Sequence, residues 1–347
     1  MIDPYRNSAL QCYRDCATRY KFDWELNLVQ IGRGESHDVR YGVAFHAAMA
    51  TLYTGSYGAA TLQRAWEAFK DAYPADQYPG DLVGVQAGKT QQNAGNALWD
   101  YARTTWRQDC IDYEVLEVET QSTPAGQGEY DRTLTLDLVL RDKRSGGVIG
   151  VDHKTVGKYL NDEYWSKYEP SSQVRMYAAD VKARYGSFAG FVINGFSMMH
   201  RDRAYTPRKG PNKGVQLPAG DWFEHARMAY HVNQRKMDAE EANLRATVDQ
   251  IAASRATNTW SYNTDRCHGN SMFECPYYRI CEPAYAWEDD RELIEEWYRV
   301  VCGRRVGNGR CQRDPNHDGD HDATPQPDAQ PVPVVPFEMP ALSNVED

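Results

Sequence analysis

No run of about 18 apolar residues occurs in this 347-residue chain, so no membrane span is expected. The opening stretch, MIDPYRNSALQCYRDC, lacks both the basic and the apolar segments of a secretory leader. A cytoplasmic protein is the expectation from these two absences. Internal repeats are absent as well. So is any cationic excess: 39 Lys and Arg against 49 Asp and Glu leave −10, a poor balance for a nucleic-acid binder. The deficit is unevenly placed, because residues 312–347 hold eight acids and one base and the first 311 residues carry only −3. A body that must also place acids around a metal ion fits that value, so DNA is not excluded as a ligand.

What is present is a core. Hydrophobic residues make up 41% of the chain and aromatics 12%, as in a folded protein with a packed interior. The length suits one large domain or two ordinary ones. Eight cysteines in a cytosolic protein argue for metal ligands more than for disulfides.

Residues 7–22 have a helical pattern, as do the stretch from Gly42 (GVAFHAAMATLY), residues 60–72 and residues 88–107. The period then changes. IDYEVLEVET (111–120) and RTLTLDLVLR (132–141) alternate as strands do, and the turn DKRSGG leads into a third strand, VIGVDHKT. A helix at 161–184, a strand at 188–199 and a long charged helix at 220–254 complete the pattern. This order predicts an α/β core with a mixed central sheet, wrapped by an N-terminal helical region. The last 25 residues hold six of the 17 prolines and are expected to be a disordered tail.

Asp137 interrupts an otherwise apolar strand, and Asp152 and Lys154 flank His153 at the end of the next one. Residues i and i+2 of a strand share a face, so Asp152 and Lys154 project together, and a hairpin brings Asp137 to the same end. Two carboxylates and a lysine suit phosphodiester hydrolysis. The carboxylates hold Mg²⁺ or Mn²⁺, hard cations that take oxygen ligands. The metal acidifies a water, and the ammonium orients it or offsets developing charge. The His153 carbonyl is a further candidate ligand. D-x-K by itself is common, and chance is an adequate account of it in isolation.

The neighbours make the pattern specific. Asp137 with Asp152-His153-Lys154-Thr155 resembles the core motif of the PD-(D/E)xK nuclease superfamily, and more narrowly its RecB-like exonucleases, such as the AddB-type, CRISPR-associated and phage enzymes. Four more pieces follow in the family's order. Gly42-x-x-x-His46 resembles a helix whose histidine is a metal ligand. Glu119 matches a strand glutamate that precedes the first aspartate. Gln173-x-x-x-Tyr177 matches a helix that contacts DNA and the site. Ser8-x-Leu10 with Cys16-x-x-Arg19-Tyr20 resembles the opening helix. Leu136 stands where the superfamily name has Pro, and Met49 and Ala50 follow His46 where a glutamate is frequent. The resemblance covers about residues 7–285. It implies a restriction-endonuclease-like core and an exonuclease acting on DNA ends in phage or bacterial recombination and repair. It also implies catalytic roles for Asp137, Asp152, Lys154, Gln173 and Tyr177, and metal ligation by His46, Glu119, Asp137 and Asp152 with His153. A single-strand-annealing recombination protein is the partner it suggests.

Cys267, Cys275 and Cys281 form a compact set of thiols. The same resemblance implies that Cys16 joins them to hold a [4Fe–4S] cluster, a staple between the opening helix and the Cys-rich C-terminal segment. The spacing between Cys267 and Cys275 is wider than the family's, Cys12 competes for the fourth place, and zinc or simple buried thiols are the alternatives. Cys302, Cys311, His317 and His321 are the ligand types of a closed zinc site, a knuckle over residues 289–322. Cys110 has no partner in sequence and is expected to be a buried thiol. The expected organisation is then helical region (1–110), nuclease core and cluster segment (111–288), knuckle and tail (323–347).

The stretch HRDRAYTPRKGPNK sets Arg201, Arg203, Arg208, Lys209 and Lys213 against Asp202 and adds Tyr205 for stacking, a candidate DNA contact. Two other functions fit the same residues: a structure-specific endonuclease or nickase on this fold, and a non-catalytic DNA-binding or scaffolding protein.

Overall fold

The computed structural model describes residues 5–30, 36–74, 88–122, 133–206, 214–216, 218–263, 275–281, 298–300, 305–306 and 309–310. The described chain divides into two compact units. One draws on residues up to 30, on 133–134 and on residues from 238 onward; the other comprises 36–122 and 135–237.

In the second unit, side-chain caps fix where helices start. Thr90 Oγ1 accepts the Asn93 N–H at 3.1 Å and opens α5 (Gln91–Tyr101). Asn161 Oδ1 accepts the Tyr164 N–H at 2.9 Å and opens α7 (Asp162–Ser166). Ser171 Oγ caps α8 (Ser172–Tyr185), which ends on Gly186 at φ 70°, a left-handed stop that glycine takes without strain. Helices α3 (His37–Thr54) and α4 (Ala59–Ala72) precede α5. The helix of α5 continues through a π-helical turn, Ala102–Trp106, into α6 (Arg107–Asp112).

Five strands make one mixed sheet in the order β2-β3-β4-β5-β6. They are β2 (Tyr113–Ser122), β3 (Leu134–Asp142), β4 (Val148–Val156), β5 (Gly190–Arg201) and β6 (Gly220–Tyr230). β4 runs antiparallel to β3 and parallel to β5, with α7 and α8 forming the crossover, and β6 is antiparallel to β5. The α/β core with a mixed sheet is as expected from the sequence. One face of the sheet packs Leu138, Leu140, Val151, Phe196 and Met198 against Tyr41, Phe45, Phe69, Leu98 and Tyr101 of the helices before it. Each such side chain removed from water contributes about 1.5–3 kcal/mol. On the opposite face Tyr177 of α8 meets Phe191, ring centroids 5.8 Å apart.

Three boundaries differ from the sequence expectation. The helix expected at 220–254 is instead β6 followed by α9 (Gln234–Thr257). Its first part reads GDWFEHARMAY, and the polar His225 and Arg227 look helical, yet they alternate strictly and turn into a polar network on the helical face. The helix expected at 161–184 is broken around Pro170, which cannot donate a helical hydrogen bond. Residues 111–112 belong to α6, not to the following strand.

In the first unit, α1 (Asn7–Asp15) is followed by a short helix, Ala17–Tyr20, with Cys16 extended and buried at the break. α9 holds this segment: Arg14 reaches Thr247 Oγ1 at 2.9 Å and pairs with Glu240, and Arg255 pairs with Glu25 at 2.7 Å. β1 (Leu28–Gln30) pairs with β7 (Tyr298–Val300), and Leu28, Phe22, Tyr277, Ile280 and Tyr298 form a small core beside Cys275 and Cys281. Among the described residues no helix is long and apolar enough to cross a membrane.

Candidate active site

The site lies wholly in the second unit, where β3 and β4 cease to pair. Their ladder ends at Leu138 opposite Val151. One residue further, Asp137 and Asp152 leave the regular pairing. The His153 N–H is taken at 2.7 Å by Asp137 Oδ2. A side-chain carboxylate thus supplies the acceptor where the backbone ladder stops. Asp137 is 7% exposed, Asp152 1% and His153 2%, so charge here is desolvated and needs partners.

Lys154 is the partner of Asp152. Its Nζ donates to Oδ1 at 2.9 Å and lies 2.7 Å from Oδ2. On α8, Gln173 and Tyr177 share a face one turn apart, and Gln173 Nε2 donates both to Asp152 Oδ1 at 3.0 Å and to the Tyr177 hydroxyl at 3.1 Å. Burial works to lower the Lys154 pKa, and Asp152 and Asp137 outweigh it, so the ammonium form is held.

From α3, His46 Nδ1 stands 3.2 Å from Glu119 Oε1 and 3.4 Å from Asp137 Oδ2. Glu119 adopts φ 47° within β2, a left-handed conformation uncommon outside glycine, which costs on the order of 1–3 kcal/mol and sets the direction of its side chain. One ligand atom from each of His46, Glu119 and Asp137 lies within 4.8 Å of the others, close enough for one metal ion. The buried Asp152 Oδ2 accepts no well-directed hydrogen bond. One imidazole nitrogen and two carboxylates are a set that Mg²⁺ or Mn²⁺ accepts, so His46, Glu119 and Asp137 fit a divalent cation.

Residues 7–282 match the sequence profile of the PD-(D/E)XK nuclease superfamily. The chain belongs to that superfamily. No curated protein matches it. A crystal structure of a candidate exonuclease from Eubacterium rectale resembles it at 12% identity, with a TM-score of 0.45 over 79% of this chain and 91% of that one. The likeness at that level assigns no activity. PD-(D/E)XK nucleases act on DNA and use divalent metals, and the His46, Glu119 and Asp137 group offers a place for one.

Every one of His46, Glu119, Asp137, Asp152, Lys154, Gln173 and Tyr177 therefore falls in one place in this nuclease. His153 is there too, but its ring faces away from the carboxylates. Nδ1 meets Asn194 Nδ2 at 2.9 Å, and burial lowers its pKa to about 3, so the ring is neutral. Behind it lies a polar network that the sequence reading missed. Asn194 Nδ2 also donates to the Tyr101 hydroxyl at 3.0 Å, and its Oδ1 lies 2.6 Å from His225 Nε2. Arg227 donates to Tyr101 at 2.7 Å and to Asp109 Oδ1 at 2.7 Å, while Tyr53 bonds Tyr101 and Asp109. The signal was Asn194 in the middle of the apolar run FVINGF. Its partners need the register of three strands to be found.

The described cysteines of the expected cluster, Cys16, Cys275 and Cys281, belong to the first unit. Cys16 is buried, Cys275 and Cys281 are half-buried beside Tyr277, and Cys12 bonds Asp23 at 3.7 Å. Burial and Asp23 push the Cys12 thiol up to about 12. Cys267, Cys302, Cys311, His317, His321 and the proline-rich tail lie outside the described residues. Cys110 is half-buried, its thiol pKa raised by burial and Asp109. Tyr205 is exposed, and much of the basic stretch after it lies outside the described residues.

Proposed function

We propose that this chain is a Mg²⁺- or Mn²⁺-dependent exonuclease that hydrolyses phosphodiester bonds at DNA ends. The observation that carries the catalytic reading is the pairing of Lys154 with Asp152 beside the His46, Glu119 and Asp137 group. His46, Glu119, Asp137 and Asp152 would hold the ion, which supplies charge neutralisation at the phosphate and an acidified water. Lys154, kept as an ammonium, orients the attacking water and offsets charge as the phosphate oxygens become more negative. Gln173 fixes the rotamer of Asp152, and Tyr177 holds Gln173. The His153 N–H holds Asp137, so both carboxylates are set before substrate arrives. Preference for ends rests on the order of motifs from Gly42-x-x-x-His46 to Gln173-x-x-x-Tyr177. Recombination or repair, in a phage or a bacterium, with a single-strand-annealing partner, is the setting that the same order suggests.

Cys16, Cys267, Cys275 and Cys281 are proposed as ligands of a [4Fe–4S] cluster. Cys16, Cys275 and Cys281 fall in the same unit, and Arg19, whose pKa is raised against the effect of burial by Asp23, Cys12 and Cys275, supplies local positive charge for thiolates. Anaerobically purified protein with thiolate-to-iron absorption supports the cluster; colourless protein containing zinc contradicts it.

The test of end preference uses linear and covalently closed circular DNA of one sequence with Mn²⁺. Degradation of the linear form alone is expected. Nicking of the circle at a similar rate would instead favour an endonuclease.

A further inference from the structure

The parity of β5 and β6 places a second group of side chains on the sheet face that carries Asp152 and Lys154. Lys154 pairs with Gly195, and Met199 with Trp222. Successive same-face positions run Gly195, Ser197, Met199 and Arg201. Trp222 therefore shares the catalytic face, four residues along β5 and two strands across from Lys154, about 16 Å away at 3.3 Å per residue and 4.8 Å per strand. Ser197, midway, donates its hydroxyl to the Lys158 carbonyl at 2.7 Å and so places Tyr159.

Tyr159 packs against Trp222 at a tilt of 55°, with ring centroids 5.6 Å apart, and is 40% exposed. The Arg201 guanidinium sits over the same indole at 4.6 Å. Arg201 is only 9% exposed, and its Nε and Nη2 are buried with no hydrogen-bond partner among the described residues. Buried guanidinium donors are normally satisfied, so these two suit an anionic acceptor such as a phosphate. Positive charge also gathers near Lys154. Lys167 rests over the rings of Tyr164 and Tyr168 at 4.1 and 4.7 Å, close enough to Lys154 and Lys158 to feel both. Glu224, the acid next to Trp222 on this face, is occupied by the Leu160 N–H.

An exposed ring for a base and an unpaired arginine for a phosphate are the two contacts that single-stranded nucleic acid uses. We propose that Tyr159, Trp222 and Arg201 form a strand-holding subsite for single-stranded DNA flanking the scissile phosphate. The base of a flanking nucleotide stacks on Tyr159 and Trp222, and its phosphate pairs with Arg201. A stacked strand covers the distance to Lys154 in about five nucleotides, and an extended one in fewer. Paired bases in a duplex present no free face to the rings, so the subsite favours a frayed or single-stranded end. The proposal rests on the nuclease reading of the carboxylate site.

The test is fluorescence anisotropy with end-labelled two-nucleotide and six-nucleotide single-stranded oligodeoxynucleotides and full-length protein, without divalent metal. Tyr159→Ala is expected to weaken six-nucleotide binding about tenfold, the size of one lost stacking partner, and to leave dinucleotide binding unchanged. Tyr159→Phe keeps the ring and is expected to bind as wild type does. Arg201→Gln is expected to flatten the slope of log affinity against log salt by about 0.7, the value for one single-strand phosphate contact. Since Arg201 is largely buried, its thermal melt is compared with wild type; the exposed Tyr159 gives the result that does not depend on it. Wild-type protein that cleaves DNA while Tyr159→Ala binds the six-nucleotide strand with wild-type affinity overturns the subsite and leaves the nuclease standing. A wild-type protein that neither binds nor cleaves DNA overturns both.

Discussion

The backbone N–H of His153 donates to Asp137 Oδ2 at 2.7 Å, at the point where the β3–β4 ladder ends. One hydrogen bond thus ties the first proposed catalytic carboxylate to the strand that carries the second. It also leaves the Asp137 charge in a buried site where His46 and Lys154 offset the cost of desolvation and hold its pKa well below the usual carboxylate range.

Asp137→Asn keeps an acceptor for that N–H and removes the charge. The fold is expected to survive, with a melting temperature within a few degrees of wild type, while cleavage falls by about 100-fold or more. A variant with more than a tenth of wild-type activity would show that Asp137 is not a ligand.

Gln173 acts through Asp152. Gln173→Leu preserves the helix and removes both hydrogen bonds, and an effect of about 10- to 100-fold on metal affinity or activity is expected. Tyr177→Phe, which removes only the far end of this chain of contacts, is expected to cost less. The two variants compared by metal titration and by rate separate positioning from direct chemistry.

Metal binding should depend steeply on pH. Burial opposes protonation of His46, but Asp137 and Glu119 outweigh it and raise its pKa to about 10. Burial raises Asp152, Lys154 pulls it back and Asp137 pushes it up again, to about 6. A ligand must lose its proton to the solvent before it holds a cation, so Mn²⁺ affinity rises with pH, by about tenfold per unit for each proton displaced. Calorimetry from pH 6 to pH 8 should show tighter binding and proton release; flat affinity would contradict the ligand assignment. The sign for stability is opposite in metal-free protein. Both folded pKa values exceed the ordinary ones, so the stabilisation from His46 is complete below about 6.5 and disappears as pH rises toward 10, and that from Asp152 disappears as pH passes 6.

Asn194, itself fully buried, joins His153, His225 and Tyr101. Asn194→Ala takes their Asn194 partner from His153 Nδ1 and His225 Nε2, and a loss of about 1–3 kcal/mol is expected in denaturant unfolding. Loss below about half a kcal/mol would mean that the network tolerates the gap.

The gathering of Asp137, Asp152 and Lys154 was legible because it follows from strand alternation and one hairpin, both local. Gln173 and Tyr177 were legible for a like reason, one helical turn on the segment after the lysine strand. Glu119 was legible as a position but not in its backbone, since nothing in the local sequence announces a left-handed residue inside a strand. β6 was hidden because His225 and Arg227 are polar residues that face inward, where their partners come from β5 and α5 and α6. The Tyr159, Trp222 and Arg201 stack was hidden for the same reason: its members are 42 and 21 residues apart in sequence, and only the β5–β6 register brings them together.

The central claim is that metal-dependent DNA cleavage is carried by the Lys154 and Asp152 pair with its neighbouring carboxylates. The most direct measurement is the Mn²⁺-dependent degradation rate of end-labelled linear DNA by wild-type protein and by Lys154→Ala, with DNA binding measured alongside. Wild type should degrade the DNA only when the metal is present, and Lys154→Ala should bind DNA normally while degrading it at least about 100-fold more slowly. Equal rates for the two proteins, or wild-type degradation that persists in chelator, would contradict the account.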